Sequence, residues 1–186
     1  ASGGGNSEHA TGIAAIIAAK HGNNGISGIA YGAKIYSYGN NDNLLTRITG
    51  VIDATNQANV KVINLSWEQY TSENSDLKCA MRYAAFSSAT PISTPDLNCG
   101  PLLTPLNVSV NATGHDKLIV AAAGNGYEPP NQVSTPRNIV DHSVATGGSG
   151  ATQTYHRYPC SWSDLVVCVG NSTVSDPTAV STAPPQ

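Results

Sequence analysis

The sequence predicts an α/β fold, a parallel sheet with helices on both faces. Three observations predict it. Short, continuously apolar runs alternate with helical patterns, the order expected of parallel strands joined by crossover helices. The runs KVINL and LIVAAA are short and read as continuous apolar strands, as expected when helices cover both sides of a sheet. The helix before KVINL carries Leu44, Leu45, Ile48, Val51, Ile52 and Thr55 on one stripe, with a polar far side.

Taken in order, a helix of small residues opens at His9 and runs to Ala19. A strand follows at Lys34 to Tyr38, then a helix from Asp42, its cap, to Asn59. A strand at Val60 to Leu65, a helix at about Ser75 to Ser88 and a strand at Leu118 to Ala123 complete the regular part, before LVVCVG resumes a strand near the end. Two stretches break the rhythm. Residues 89–116 are rich in Pro, Ser, Thr and Asn and read as a surface insertion tethered through Cys79, and Gly126 to Asp164 reads as a second irregular stretch. Ligands gather at the carboxyl ends of strands in such sheets, which directs attention to the residues after Leu65 and after Ala123.

Composition narrows the classes of function. A chain of 186 residues with 40% hydrophobic and 11% charged residues suits one compact domain. A net charge of -3 and a pI near 5.9, with Lys and Arg scattered, give no basic field for nucleic acid. The longest apolar runs fall well short of the roughly 18 to 20 residues that span a bilayer, so no membrane insertion is expected. No signal peptide is visible. The cysteines are Cys79, Cys99, Cys160 and Cys168, and three pairings are open on paper. None has metal-ligand spacing, so no metal site is expected, and structural disulfides in a secreted protein are the leading reading, with four buried thiols as the alternative. Sequons occur at Asn107, Asn111 and Asn171, and a fourth, at Asn64, lies at the end of a buried-looking strand.

Five segments in order carry a family resemblance. HATGIAA follows the pattern H-G-T-H-V-A-G, with Thr11 and Ala14 matching and Gly12 in place of the second histidine. GISGIAYGAKIY resembles G-V-A-P-x-A-x-L, with Tyr31 where proline is typical. KVINLSW, LIVAAAGN and YPCSWSDLVVCVG complete the set, which spans about two thirds of the chain. The chain resembles the subtilisin-like serine proteases. The resemblance implies that His9 is the catalytic base and Asn125 the oxyanion donor. It also implies that Ser66, Trp67 and Glu68 form one rail and wall of a peptide cleft, with Ala122, Ala123 and Gly124 as the opposite wall. Glu68 stands where glycine is usual; its carboxylate either favours basic side chains, narrows the cleft, or points into water.

The same resemblance supports a bond between Cys160 and Cys168, leaving Cys79 with Cys99. No cofactor is required for the chemistry. Structural calcium, common in the family, would have Asn23 and Asn24 as oxygen ligands, with a carboxylate partner upstream of residue 1. The triad aspartate and serine are not found: eight residues precede His9 without an aspartate, and no G-T-S-M-A follows Val169. Ser7 and Ser149 lack the strand-to-helix setting of an activated nucleophile. The expectation is therefore a single partial catalytic domain, incomplete at both ends. It would act on extended polypeptide once the aspartate and serine are supplied by flanking sequence or a complementing chain, and be inactive by itself. The alternatives are a catalytically dead module that binds extended peptides, and an unrelated α/β binding protein.

Overall fold

The computed structural model describes residues 4–22, 25–38, 43–67, 73–100, 104–106, 112–123, 141–145, 152–156 and 158–170. The chain forms two compact units, Ala1–Gly39 and Asn40–Gln186.

The first unit is built on helix α1, Gly4–Ala18. It starts earlier than the sequence reading, which opened the helix at His9, and takes in Gly4 and Gly5 in spite of their low helix propensity. Its last carbonyls are taken by a returning segment rather than by a cap: the Gly28, Ile29 and Ala30 amides donate to the Ala19, Ile16 and Ile17 carbonyls at 2.9, 3.0 and 2.7 Å. Gly28 makes this approach feasible, since a Cβ there would lie 2.5 Å from the Ala19 nitrogen. Lys34–Tyr38, expected as a strand, forms none. All five of its residues are exposed, and apolar character alone makes no strand without a ladder partner.

The second unit holds a three-stranded parallel sheet in the order β1 (Val62–Leu65), β2 (Leu118–Ala122), β5 (Val167–Val169). The register pairs Val62 with Leu118, Leu65 with Ala121, and Ala121 with Cys168. Helix α2, Leu44–Asn56, is capped by Asn43, whose carboxamide oxygen accepts from the Leu45 amide at 2.8 Å, one residue beyond the expected Asp42. Helix α3, Ser75–Ala85, is capped by Asn74 through the Leu77 amide. Ile48, Val51 and Ile52 of α2 and Leu77, Ala80, Met81 and Ala84 of α3 form one core with Ile63, Leu65, Ile119 and Ala121 of the sheet. Leu45, counted on the buried stripe, is exposed. On the opposite sheet face Val62, Leu118, Val167 and Val169 are each about half exposed. Asn64 is exposed on this same face, and not buried as the apolar run suggested.

Between α3 and β2 the chain is tied inward. Ile92 and Cys99 are buried, Cys99 is bonded to Cys79 of α3 with the Cα atoms 5.4 Å apart, and the Ile92 amide donates to the Ala112 carbonyl. Gly114 then passes so close to the end of α3 that an added Cβ would meet the Phe86 carbonyl oxygen at 1.9 Å. That oxygen already accepts from the Asp116 amide at 2.9 Å, so the backbone cannot yield without breaking this bond. Gly114→Ala is expected to lower stability by about 3 kcal/mol, read as a lower urea midpoint at unchanged slope. The Lys117 ammonium, although buried, is satisfied by the Gln57 and Val60 carbonyls at 3.2 and 2.7 Å, just past the end of α2.

The stretch 126–164 contains an antiparallel ribbon, β3 (Asp141–Ala145) with β4 (Thr152–His156), where an irregular loop was expected. The β-branched and aromatic residues Val144, Thr152, Thr154 and Tyr155 on either side of the glycines of 146–151 are the signal that could have shown it.

Candidate functional site

The carboxyl ends of β1 and β2 lie side by side. Leu65 is opposite Ala121, so Ser66 and Trp67 leave the sheet beside Ala122 and Ala123. This brings together four of the six residues assigned to the cleft. Glu68 and Gly124 lie outside the described residues, as do Asn125, the sequons Asn107, Asn111 and Asn171, and Asn23, Asn24 and Ser149.

Each wall is held by specific contacts. The Asn64 carboxamide donates to the Ser66 hydroxyl at 2.9 Å, which fixes the first residue after β1. The half-buried Trp67 ring lies under the Arg47 guanidinium of α2, 4.5 Å from the ring centre, a cation–π contact that ties this end of β1 to the helix layer. On the other wall the Ala123 amide donates to the Val169 carbonyl at 2.9 Å, extending the β2–β5 ladder past the end of the strand.

The second disulfide braces that wall. Cys160 is bonded to Cys168, Cα atoms 5.1 Å apart, and Cys168 pairs with Ala121 in the ladder. The Cys160 sulfur sits 3.6 and 3.3 Å from the Ala121 and Ala122 carbonyl oxygens. A disulfide sulfur has no proton to donate, so these are packing contacts and not hydrogen bonds. They press the turn at 158–166 onto the end of β2. Within that turn the Trp162 amide donates to the Pro159 carbonyl, and the Tyr158 and Trp162 rings stack at 4.7 Å.

His9 stands on the second turn of α1, in the first unit, with its side chain exposed. Its helix keeps small residues at Gly12, Ala14, Ala15 and Ala18. Among the remaining histidines, His21 lies 3.2 Å from the Ser27 hydroxyl and His115 packs edge-on against Tyr83 at 4.5 Å. His142 and His156 belong to β3 and β4 and not to loops. Among the described residues no group of three or more His, Cys, Asp or Glu side chains is arranged to hold a metal, and no helix is long and apolar enough to cross a membrane.

Comparison with known families decides which family the chain belongs to. A sequence profile of the subtilase family, peptidase S8, matches residues 2–184. The chain belongs to the subtilase family. No individual curated protein and no solved structure gives a match. Membership in the subtilases supports a serine-protease type of function and a polypeptide substrate. The two disulfides fit an oxidising, extracytoplasmic setting for this subtilase chain.

Sequence reasoning missed Arg47 as the support of Trp67, because a single arginine on a helix carries no motif. It also missed a cleft on the outer side of α3, lined by Glu73, Ser75, Lys78, Arg82, Thr94, Asp96, Leu97 and Asp164. Ser75, Lys78 and Arg82 follow one another at helical spacing, the only trace of that cleft in the sequence.

Proposed function

We propose that these residues form the base-bearing and cleft-bearing part of a secreted subtilisin-type serine endopeptidase. The observation that carries this reading is the parallel register of β1 and β2, which sets Ser66 and Trp67 beside Ala122 and Ala123 at the sheet end where such enzymes bind peptide. An extended substrate lies between the two walls and takes backbone hydrogen bonds from both.

The chemistry is acyl transfer. A serine hydroxyl attacks the scissile carbonyl carbon while His9 accepts the hydroxyl proton. The carbonyl oxygen becomes negative, and the Asn125 side-chain amide donates a hydrogen bond to it. His9 then returns the proton to the leaving amine as the carbon–nitrogen bond breaks, and water later repeats the sequence on the acyl-enzyme. The serine, and the aspartate that orients the imidazole, come from outside these 186 residues, which contain no G-T-S-M-A motif and no aspartate before His9. The imidazole suits this role because its ordinary pKa of about 6.5 lets it carry the proton both ways near neutrality.

Intact mass together with fluorophosphonate labelling of the natural product tests the reading. A labelled species that contains the His9 and Asn125 peptides is the expected result. An unlabelled product with the mass of these residues alone would overturn it in favour of a module that binds peptides without cutting them.

A further inference from the structure

The cleft on the outer side of α3 has a volume of about 410 Å³, enough for a small organic ligand. Its floor is Arg82, which is nine-tenths buried although it carries a charge. Among the described residues the Arg82 Nε–H has no hydrogen-bond partner, and its Nη1 donates to the Thr94 hydroxyl at a long 3.4 Å. The guanidinium is stacked on the Phe86 ring, 4.6 Å from its centre, which fixes its plane without satisfying its donors. A buried guanidinium with an idle donor is costly unless something accepts from it. Burial lowers the pKa of this group, and the Asp164 charge opposes that shift.

The other walls define what fits. Lys78 is engaged by Glu73, and Glu73 also accepts from the buried Trp162 indole at 3.1 Å, so this pair is internally neutral. That leaves the Arg82 cation and the Asp96 and Asp164 carboxylates in one lining, with Asp164 close enough to Arg82 to favour its charged form. Asp96 sits in a tight turn closed by reciprocal Thr94 and Leu97 backbone bonds at 2.9 and 3.0 Å, and the Cys79–Cys99 bond anchors this turn to α3 two residues further on. A metal ion is disfavoured by the two basic side chains, and a simple anion by the Asp96 and Asp164 carboxylates.

We propose that this cleft binds a free α-amino acid as its zwitterion. The ligand carboxylate accepts from the Arg82 guanidinium and the Thr94 hydroxyl, and the ligand ammonium donates to Asp96 and Asp164. The proposal is independent of the peptidase reading, since none of these residues belongs to the cleft at the ends of β1 and β2.

Titration of the full chain with glycine, acetate and methylamine, followed through the two tryptophan indole N–H resonances, tests it. Glycine is expected to shift the Trp162 indole saturably and leave the Trp67 indole in place. Acetate and methylamine should each bind at least about tenfold more weakly, because each satisfies only half of the site. Arg82→Gln should abolish the response. Asp96→Asn, at an exposed position that leaves the core intact, should weaken glycine binding about tenfold and keeps the test decisive if the Arg82 variant does not fold. Absence of a saturable shift, acetate or methylamine matching glycine, or Asp96→Asn binding glycine as the parent does would each overturn the proposal.

Discussion

Replacing His9 by alanine in the fluorophosphonate-reactive protein is expected to lower kcat by about 10⁶-fold and to abolish labelling. The magnitude is the one known for the base of subtilisin itself and comes to this chain with its proposed role, not from the geometry of α1. Without the imidazole nothing takes the serine proton, and the alkoxide is not formed at neutral pH. KM should change little, because the residues that align the peptide stand on β1 and β2. His9 is exposed and alanine is the best helix former, so the fold should survive the change. A melting curve unchanged from the parent therefore makes the activity loss interpretable. Activity within tenfold of the parent would assign His9 to the surface of α1 and leave the base to be found elsewhere. Asn125→Ala belongs to the same experiment with a smaller expected loss, about 10²–10³, again the value known for this family's oxyanion asparagine.

Loss of both disulfides is expected to destabilise the second unit by about 6 kcal/mol. The Cys79–Cys99 bond spans 20 residues and Cys160–Cys168 spans 8. Chain entropy assigns them about 3.3 and about 2.5 kcal/mol, and their closed loops do not overlap, so the contributions add. The total is comparable with the whole stability of an ordinary domain, so the reduced protein should be largely unfolded at body temperature. Urea unfolding with and without reductant measures this, and the double alanine variants of each pair divide it. The Cys160 and Cys168 variants should also perturb the cleft wall, since that bond presses the 158–166 turn onto the end of β2. Equal urea midpoints in the two conditions would show that the core alone carries the fold.

How much of this was legible in the sequence depended on whether a signal was local. Helices α2 and α3 were read within a few residues because their periodicity and flanking Asn and Asp residues are local features. The strands β1, β2 and β5 were read because each is a short apolar run after a helix or loop. Lys34–Tyr38 was misread for the same reason: its composition is strand-like, and only a partner decides whether it pairs. The cysteine pairs present in the structure are those the family resemblance favoured, which composition by itself left open among three. The Arg47–Trp67 contact and the Arg82 cleft were invisible, because each depends on side chains brought together from separate elements. The β3–β4 ribbon was overlooked because Gly and Pro in the surrounding stretch outweighed its few β-branched and aromatic residues.

The parallel ladders also set a timetable for folding. Leu65 finds Ala121, and Ala121 finds Cys168, only after long intervening segments have been gathered in, so no pair of strands in the parallel sheet can form as a local hairpin. Loop closure must be met before any of these contacts returns energy, and sheets of this kind assemble slowly compared with helical proteins. The two helices can form early, but the half-exposed row of Val62, Leu118, Val167 and Val169 has no fixed geometry until the last strand arrives. Refolding in dilute solution and at low temperature should therefore recover more monomer than refolding at high concentration, because unpaired strands that wait for distant partners also meet those of other molecules.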